Sequence, residues 1–93
     1  MELLQLRYFC EVARRESVTK VAEELHVSQP SLSKTIKNLE QELGVVLFDR
    51  VKKRIVLNEQ GKEFYDKVSK GLNLIDSAVD GLSVTPDSEN GTG

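Results

Sequence analysis

Ser28, Gln29, Ser31, Ser33, Lys34, Thr35 and Lys37 fall in one short stretch, SQPSLSKTIKNLE at residues 28–40, with no acid before Glu40. Leu32, Ile36 and Leu39 recur through it at helical spacing, which predicts a helix with one buried stripe. Pro30, Ser33, Lys34 and Lys37 follow the same i, i+3, i+4, i+7 rule on the opposite side, so the non-acidic stripe faces away from the core. Exposed helix surface is ordinarily filled with mixed Glu and Lys rather than small hydroxyls. A face of hydroxyls, an amide and ammonium groups suits nucleic acid. Small side chains let a helix sink into a major groove, Gln can bond adenine bidentately, and Lys reaches guanine or phosphate. Acids there would be repelled by phosphate. The helix N-terminus adds unpaired N–H groups and a partial positive charge. The plainer alternative is a solvated helix face that happens to lack acids.

A second cationic group, Arg50, Lys52, Lys53 and Arg54, puts four positive charges in five residues with no acid among them. It lies between two β-prone runs, Val45–Asp49 and Ile55–Leu57, and reads as the tip of a hairpin. Basic residues at such a place often only blunt exposed strand edges. Beside a groove-reading helix, however, they are placed to touch phosphates or a minor groove. The formal net charge of −2 does not argue against this, because the acids collect elsewhere. Glu2, Glu11, Glu16, Glu23 and Glu24 lie early, and Asp76, Asp80, Asp87 and Glu89 late. An anionic ligand meets the local field, not the sum.

The elements that must hold these groups follow from periodicity. Leu3, Leu6, Phe9, Cys10 and Ala13 predict a first amphipathic helix. Ser17 is its successor's N-cap, and Val18, Val21, Ala22 and Leu25 form the stripe of a short second helix. After the short His26-Val27-Ser28 connection, Ser28 or Gln29 caps the third helix, Pro30 sits in its first turn, and Gly44 stops it after Leu43. Asn58 caps a last helix, with Glu59 favourably placed at its positive end. Along that helix Tyr65, Val68, Leu72, Ile75, Val79 and Leu82 step by threes and fours, the a/d seam of a helix that pairs with another helix. Its first turns, Phe64 included, pack back on the three-helix core. A lone domain has little left to cover Leu72, Ile75, Val79 and Leu82, which favours a homodimer contact presenting two helices to the two halves of an inverted repeat. From Ser83 the chain reads SVTPDSENGTG, the composition of a flexible tail.

The expected fold is therefore mainly α: a winged helix-turn-helix over 1–57, with a three-helix core and a two-stranded β wing, a long linker helix for dimerisation over 58–82, and a tail over 83–93. Ninety-three residues suffice for one domain. Charged residues at 30% and hydrophobic ones at 39% describe a globular chain, and the longest apolar run, Val45–Phe48, is far too short to span a membrane. The N-terminus lacks a signal-peptide layout and a single cysteine permits no internal disulfide, so a cytoplasmic location is expected. Catalysis would have to use Cys10, which belongs to an apolar stripe, or the single histidine, His26, at a helix end. No Cys-x-x-Cys, phosphate loop or paired-His metal spacing occurs, so no enzyme, cofactor or metal site is expected. The main rival is a protein-interaction module that uses this fold only to dimerise.

With these residues in place, the chain closely resembles the N-terminal DNA-binding domain of LysR-type transcriptional regulators. LLQLRYFCEVARRESVTKVAEELHVSQPSLSKTIKNLEQELGVVLFDR at 3–50, the basic hairpin and LNEQG at 57–61 carry the likeness, which with the linker helix covers about residues 1–82. The resemblance implies that Gln29, Pro30, Ser31, Ser33 and Lys34 form the groove-facing start of a recognition helix, bordered by Ser28 and continued by Lys37. Arg50, Lys53 and Arg54, with Lys52 between, would make backbone or minor-groove contacts. It implies a homodimer through 58–82 on double-stranded DNA, and a higher oligomer in a full-length regulator. Lys34 and Lys53 stand where the family more often has Arg, and Lys acts as a point charge rather than a bidentate fork. Such regulators continue into an effector-binding domain that senses a small molecule, and this chain is expected to lack it.

Overall fold

A computed structural model describes residues 1–84. Its order is α1 (Leu3–Arg15), α2 (Val18–Leu25), α3 (Gln29–Leu43), β1 (Phe48–Val51), β2 (Arg54–Leu57) and α4 (Glu59–Val84). This is the mainly α architecture expected, three helices, a hairpin and a long helix. The last helix runs two residues past the expected end at 82, and the rest of the expected tail lies outside the described residues. Among the described residues no helix is long and apolar enough to cross a membrane.

The helix boundaries are set by local chemistry. Ser17 Oγ accepts the Lys20 N–H at 3.1 Å and starts α2. Ser28, rather than Gln29, caps α3: its Oγ accepts the Ser31 N–H at 3.2 Å. Gly44, at φ +74°, closes α3 by donating its N–H to the Glu40 and Gln41 carbonyls, a left-handed turn that glycine takes without a Cβ penalty. Asn58 Oδ1 accepts the Gly61 N–H at 2.8 Å and opens α4.

Phe9 is the hub of the core. It is fully buried and meets Phe48, Phe64 and Tyr65 at ring-centroid distances of 5.5, 5.3 and 6.4 Å, all edge-on or tilted, as ring quadrupoles favour. Around it pack Cys10, Val12, Val21, Ala22, Leu32, Ile36, Leu39 and Leu47. Val12 is buried although it lies off the expected stripe of α1, and Leu3, placed on that stripe, is 49% exposed. The reason is that α1 packs against α2, α3, α4 and β2, so its buried arc is wider than one stripe while its first turn overhangs the bundle.

The hairpin starts later than the apolar run suggests. Residues Val45–Leu47 pair with helices instead of a strand. Glu40 Oε2 accepts the Leu47 N–H at 2.7 Å, the Val46 carbonyl accepts Asn58 Nδ2 at 2.8 Å, and the Leu47 carbonyl accepts the Asn58 N–H at 2.9 Å. The ladder then runs Phe48 with Leu57, Asp49 with Val56, Arg50 with Ile55 and Val51 with Arg54, antiparallel. Only Lys52 and Lys53 form the turn, and Lys52 adopts φ +60°, the handedness that two-residue hairpin turns require. Arg50 and Arg54 thus sit on strands, not in the connecting loop. Gly61 lies against β1's approach: a Cβ there would stand 2.1 Å from the Leu47 carbonyl oxygen, so α4 can begin this close only at glycine.

Candidate nucleic-acid interface

On α3, Leu32, Ile36 and Leu39 are buried, and Ser28, Gln29, Pro30, Ser31, Lys34 and Lys37 are exposed on the other side. Ser33, on the edge of that polar face, is half-buried. The polar groups are partly organised among themselves. Gln29 Nε2 donates to Ser33 Oγ at 2.7 Å, which leaves the amide oxygen and one N–H of Gln29 unspent. Ser28 is more committed, since it caps the helix and also donates to Ser31 Oγ at 2.8 Å. Thr35 Oγ1 donates back to the Ser31 carbonyl. The acids of α3 lie at its far end and are occupied, Glu40 by the Leu47 N–H and Glu42 by the N-terminal ammonium at 2.9 Å.

The hairpin stands beside this face. Ser33 and Lys37 from α3 line the same cleft as Arg50 and Ile55 from the strands, a space of about 270 Å³. Strand alternation sets Arg50 and its partner Ile55 on one face of the hairpin and Val51 and Arg54 on the other. Among the described residues, no carboxylate lies within ion-pair distance of Lys34, Lys37, Arg50, Lys52 or Lys53. Arg54 differs. Its Nη1 lies 3.1 Å from Glu16 Oε1, so the expectation of four hairpin cations without a counter-acid is corrected to three. No local pattern announces that pair, because its members are 38 positions apart.

The long helix divides in two. Tyr65 and Val68 are half-buried and Leu72 is 8% exposed, all packed on the domain's own core. The expectation that Leu72 lacks cover is therefore corrected, and these three are spent on α1 and its neighbours. Beyond them Ile75 (39%), Val79 (58%) and Leu82 (79%) are exposed, joined by Leu74 at 73%, which the seam did not include. Arg7 of α1 grips Asp76 with two hydrogen bonds, at 2.9 and 3.3 Å, at the boundary between these halves. The hydrogen bond from Arg7 holds the Asp76 carboxyl below its usual range. Cys10 is buried, and burial pushes its thiol up, which makes it a poor nucleophile. His26 is the left-handed C-cap of α2, at φ +59°.

Comparison with known proteins identifies the family. The family model described as bacterial regulatory helix-turn-helix protein, lysR family, matches residues 3–62. The chain belongs to the lysR family. Among its relatives are the HTH-type transcriptional regulator BsdA of Bacillus subtilis, 44% identical over 85% of this chain, and BudR of Klebsiella aerogenes, 46% identical over 86%. This lysR-family chain spans 28% and 56% of their respective lengths. The crystal structure of a BenM DNA-binding domain complexed with catB site 1 DNA superposes with a TM-score of 0.82, at 41% identity and 86% coverage of both chains.

Proposed function

We propose that this lysR-family chain binds double-stranded DNA, with α3 in the major groove and the β1–β2 hairpin against the backbone or minor groove. The observation that carries this reading is the pairing of an acid-free helix face with cations that, among the described residues, no carboxylate holds. Lys34, Lys37, Arg50, Lys52 and Lys53 lie on two adjoining elements, and two of them, Lys37 and Arg50, line one cleft. Positive charge left unneutralised on that scale is what a polyanion with regularly spaced charges exploits, by counterion release. An α-helix with short side chains has a diameter of roughly 10–12 Å, which matches a major groove about 12 Å wide. Gln29, with an acceptor and a donor still unspent, is the residue equipped for a base edge. Ser31, Ser33 and Lys34 border bases or phosphates, and Lys37 with the hairpin cations holds the backbone.

The relatives are named as transcriptional regulators, so the DNA contact serves transcriptional control. Two copies paired through the distal part of α4 would set two α3 helices on an inverted repeat, the reading supported by the exposure of Leu74 and Ile75. In a full-length regulator, a further domain would sense a small-molecule effector and extend the assembly beyond a dimer. No membrane takes part in this reading, and the work is done where bacterial DNA is, in the cytoplasm.

The test is titration of random-sequence duplex DNA at several salt concentrations. If three to five cations per protomer engage phosphates, log affinity falls against log salt with a slope of about −2.7 to −4.5 per protomer. A flat line, with no binding at low salt, would leave a dimerising fold and defeat the proposal.

A further inference from the structure

Glu16 is an unusual residue at its position. It follows α1 as the C-cap at φ +54°, a left-handed conformation that glycine or asparagine adopts at less cost than a glutamate. Its N–H donates to the Val12 carbonyl at 2.8 Å, and its own carbonyl accepts the Ile55 N–H at 3.3 Å. Glycine would satisfy both contacts. What glycine could not supply is the carboxylate, and that carboxylate is 3.1 Å from the Arg54 guanidinium. A sparsely populated backbone kept at one residue points to a role for its side chain. The same residue therefore grips β2 twice, once by backbone and once by charge.

The pair is not a buried strut. The Arg54 side chain is 65% exposed and that of Glu16 38%, and an ion pair this wet contributes little to folding. Its consequence lies instead in the field of the hairpin. Among the described residues Arg50, Lys52 and Lys53 have no carboxylate within ion-pair distance, whereas Arg54 is held by one. A carboxylate and a phosphate compete for a guanidinium through the same fork geometry.

We propose that Glu16 restrains DNA affinity by holding Arg54 in competition with the DNA backbone, so that Arg54 is a reserve cation rather than a full phosphate contact. The inference rests on the hairpin facing phosphate, as proposed above. The restraint acts on every sequence alike, because phosphate contacts carry no base information. It would keep the chain from adhering to DNA at large.

The experiment is the salt titration on random-sequence duplex DNA, run on the 93-residue chain and on variants whose folding is checked by thermal melting. In Glu16→Gln the slope should steepen by about 0.9, and affinity near 0.1 M salt should rise by up to about eightfold. Glu16→Asn, which removes the charge and tolerates a left-handed backbone, should do the same and guards against a folding defect in the first variant. Adding Arg54→Gln to Glu16→Gln should abolish the gain. Arg54→Gln should also lower the slope less in the parent than in the Glu16→Gln background. Unchanged or weaker binding in both Glu16 variants, or equal Arg54→Gln effects in the two backgrounds, would overturn the proposal. Lys53→Gln separates the two readings. If it lowers the slope by about 0.9 while the Glu16 variants change nothing, only the restraint is wrong. If it too changes nothing, the phosphate-facing hairpin is wrong, and the restraint falls with it.

Discussion

Helix α3 and the distal half of α4 both present an open face, and the two faces have opposite chemistry. The face of α3 is hydroxyl, amide and ammonium, anchored from behind by Leu32, Ile36 and Leu39. Distal α4 offers Leu74, Ile75, Val79 and Leu82 to solvent, with no comparable buried face behind them. Water solvates the first face well, so it can wait for a ligand that brings charge. It solvates the second poorly, at roughly 25 cal/mol for each Å² that a partner could cover. The contrast is one of chemistry: the α3 face suits the DNA proposed for it, and the distal α4 face suits the second copy proposed for it.

The largest expected effect tests the anchoring. Leu39 is fully buried beneath the polar face, so Leu39→Ala should cost about 2–5 kcal/mol, with a fall in Tm of roughly 10 °C or more. Leu74→Ala, at a position 73% exposed on α4, should stay within about 0.5 kcal/mol. Thermal melts of the two variants side by side would erase the contrast if they lost stability equally.

The next effect concerns α3 as a reader. Gln29→Ala should relax preference at one base position of each half-site by about 1–3 kcal/mol, measured as relative affinities across a half-site library. Uniform weakening over the whole library would move Gln29 from base reading to phosphate contact.

A smaller change is expected at the apolar face. Ile75→Asp should leave the melting of dilute protein nearly unchanged while weakening self-association at least about tenfold, or about 1.4 kcal/mol, as read by analytical ultracentrifugation. A variant that associates as tightly as its parent would show that distal α4 does not bring two copies together.

These two faces also mark how far the sequence could be read. The α1–α3 bundle was legible because its signals are local. Ser17, Ser28, Gly44 and Asn58 each act within a few residues, and Leu32, Ile36 and Leu39 repeat at helical pitch. The start of β1 was not, because the polar groups of Val45–Leu47 are claimed by Glu40 and Asn58 from the flanking helices. The periodicity of the α4 seam runs unbroken, whereas the structure divides it: its first half packs on the domain's own core and its distal half is exposed. Periodicity cannot tell whether the partner helix belongs to the same chain, and for Tyr65, Val68 and Leu72 the cover is their own domain. In the site, the acid-free face of α3 was legible from composition alone. The Glu16–Arg54 pair was not, since only the fold brings positions so distant into contact.

The least effect is expected from the device that joins the two regions. Arg7 and Asp76, 69 positions apart, form a two-pronged contact between α1 and α4 just where α4 leaves the body. Because the hydrogen bond from Arg7 lowers the Asp76 pKa in the folded chain, the contact's contribution is complete above the ordinary carboxylate pKa of about 3.9. It is lost as pH falls through the depressed folded value. Asp76→Asn lacks the titrating group, so the parent should melt slightly higher than the variant near neutrality, and the difference should vanish in strong acid. Both side chains are well exposed, which keeps the effect small and makes added salt reduce it. Melts of both proteins across acidic pH would decide the point: a difference that stayed constant into strong acid would mean that the carboxylate of Asp76 contributes nothing. If the difference disappears as expected, the Arg7–Asp76 contact is a small electrostatic addition to a helix position that Tyr65, Val68 and Leu72 already fix by packing.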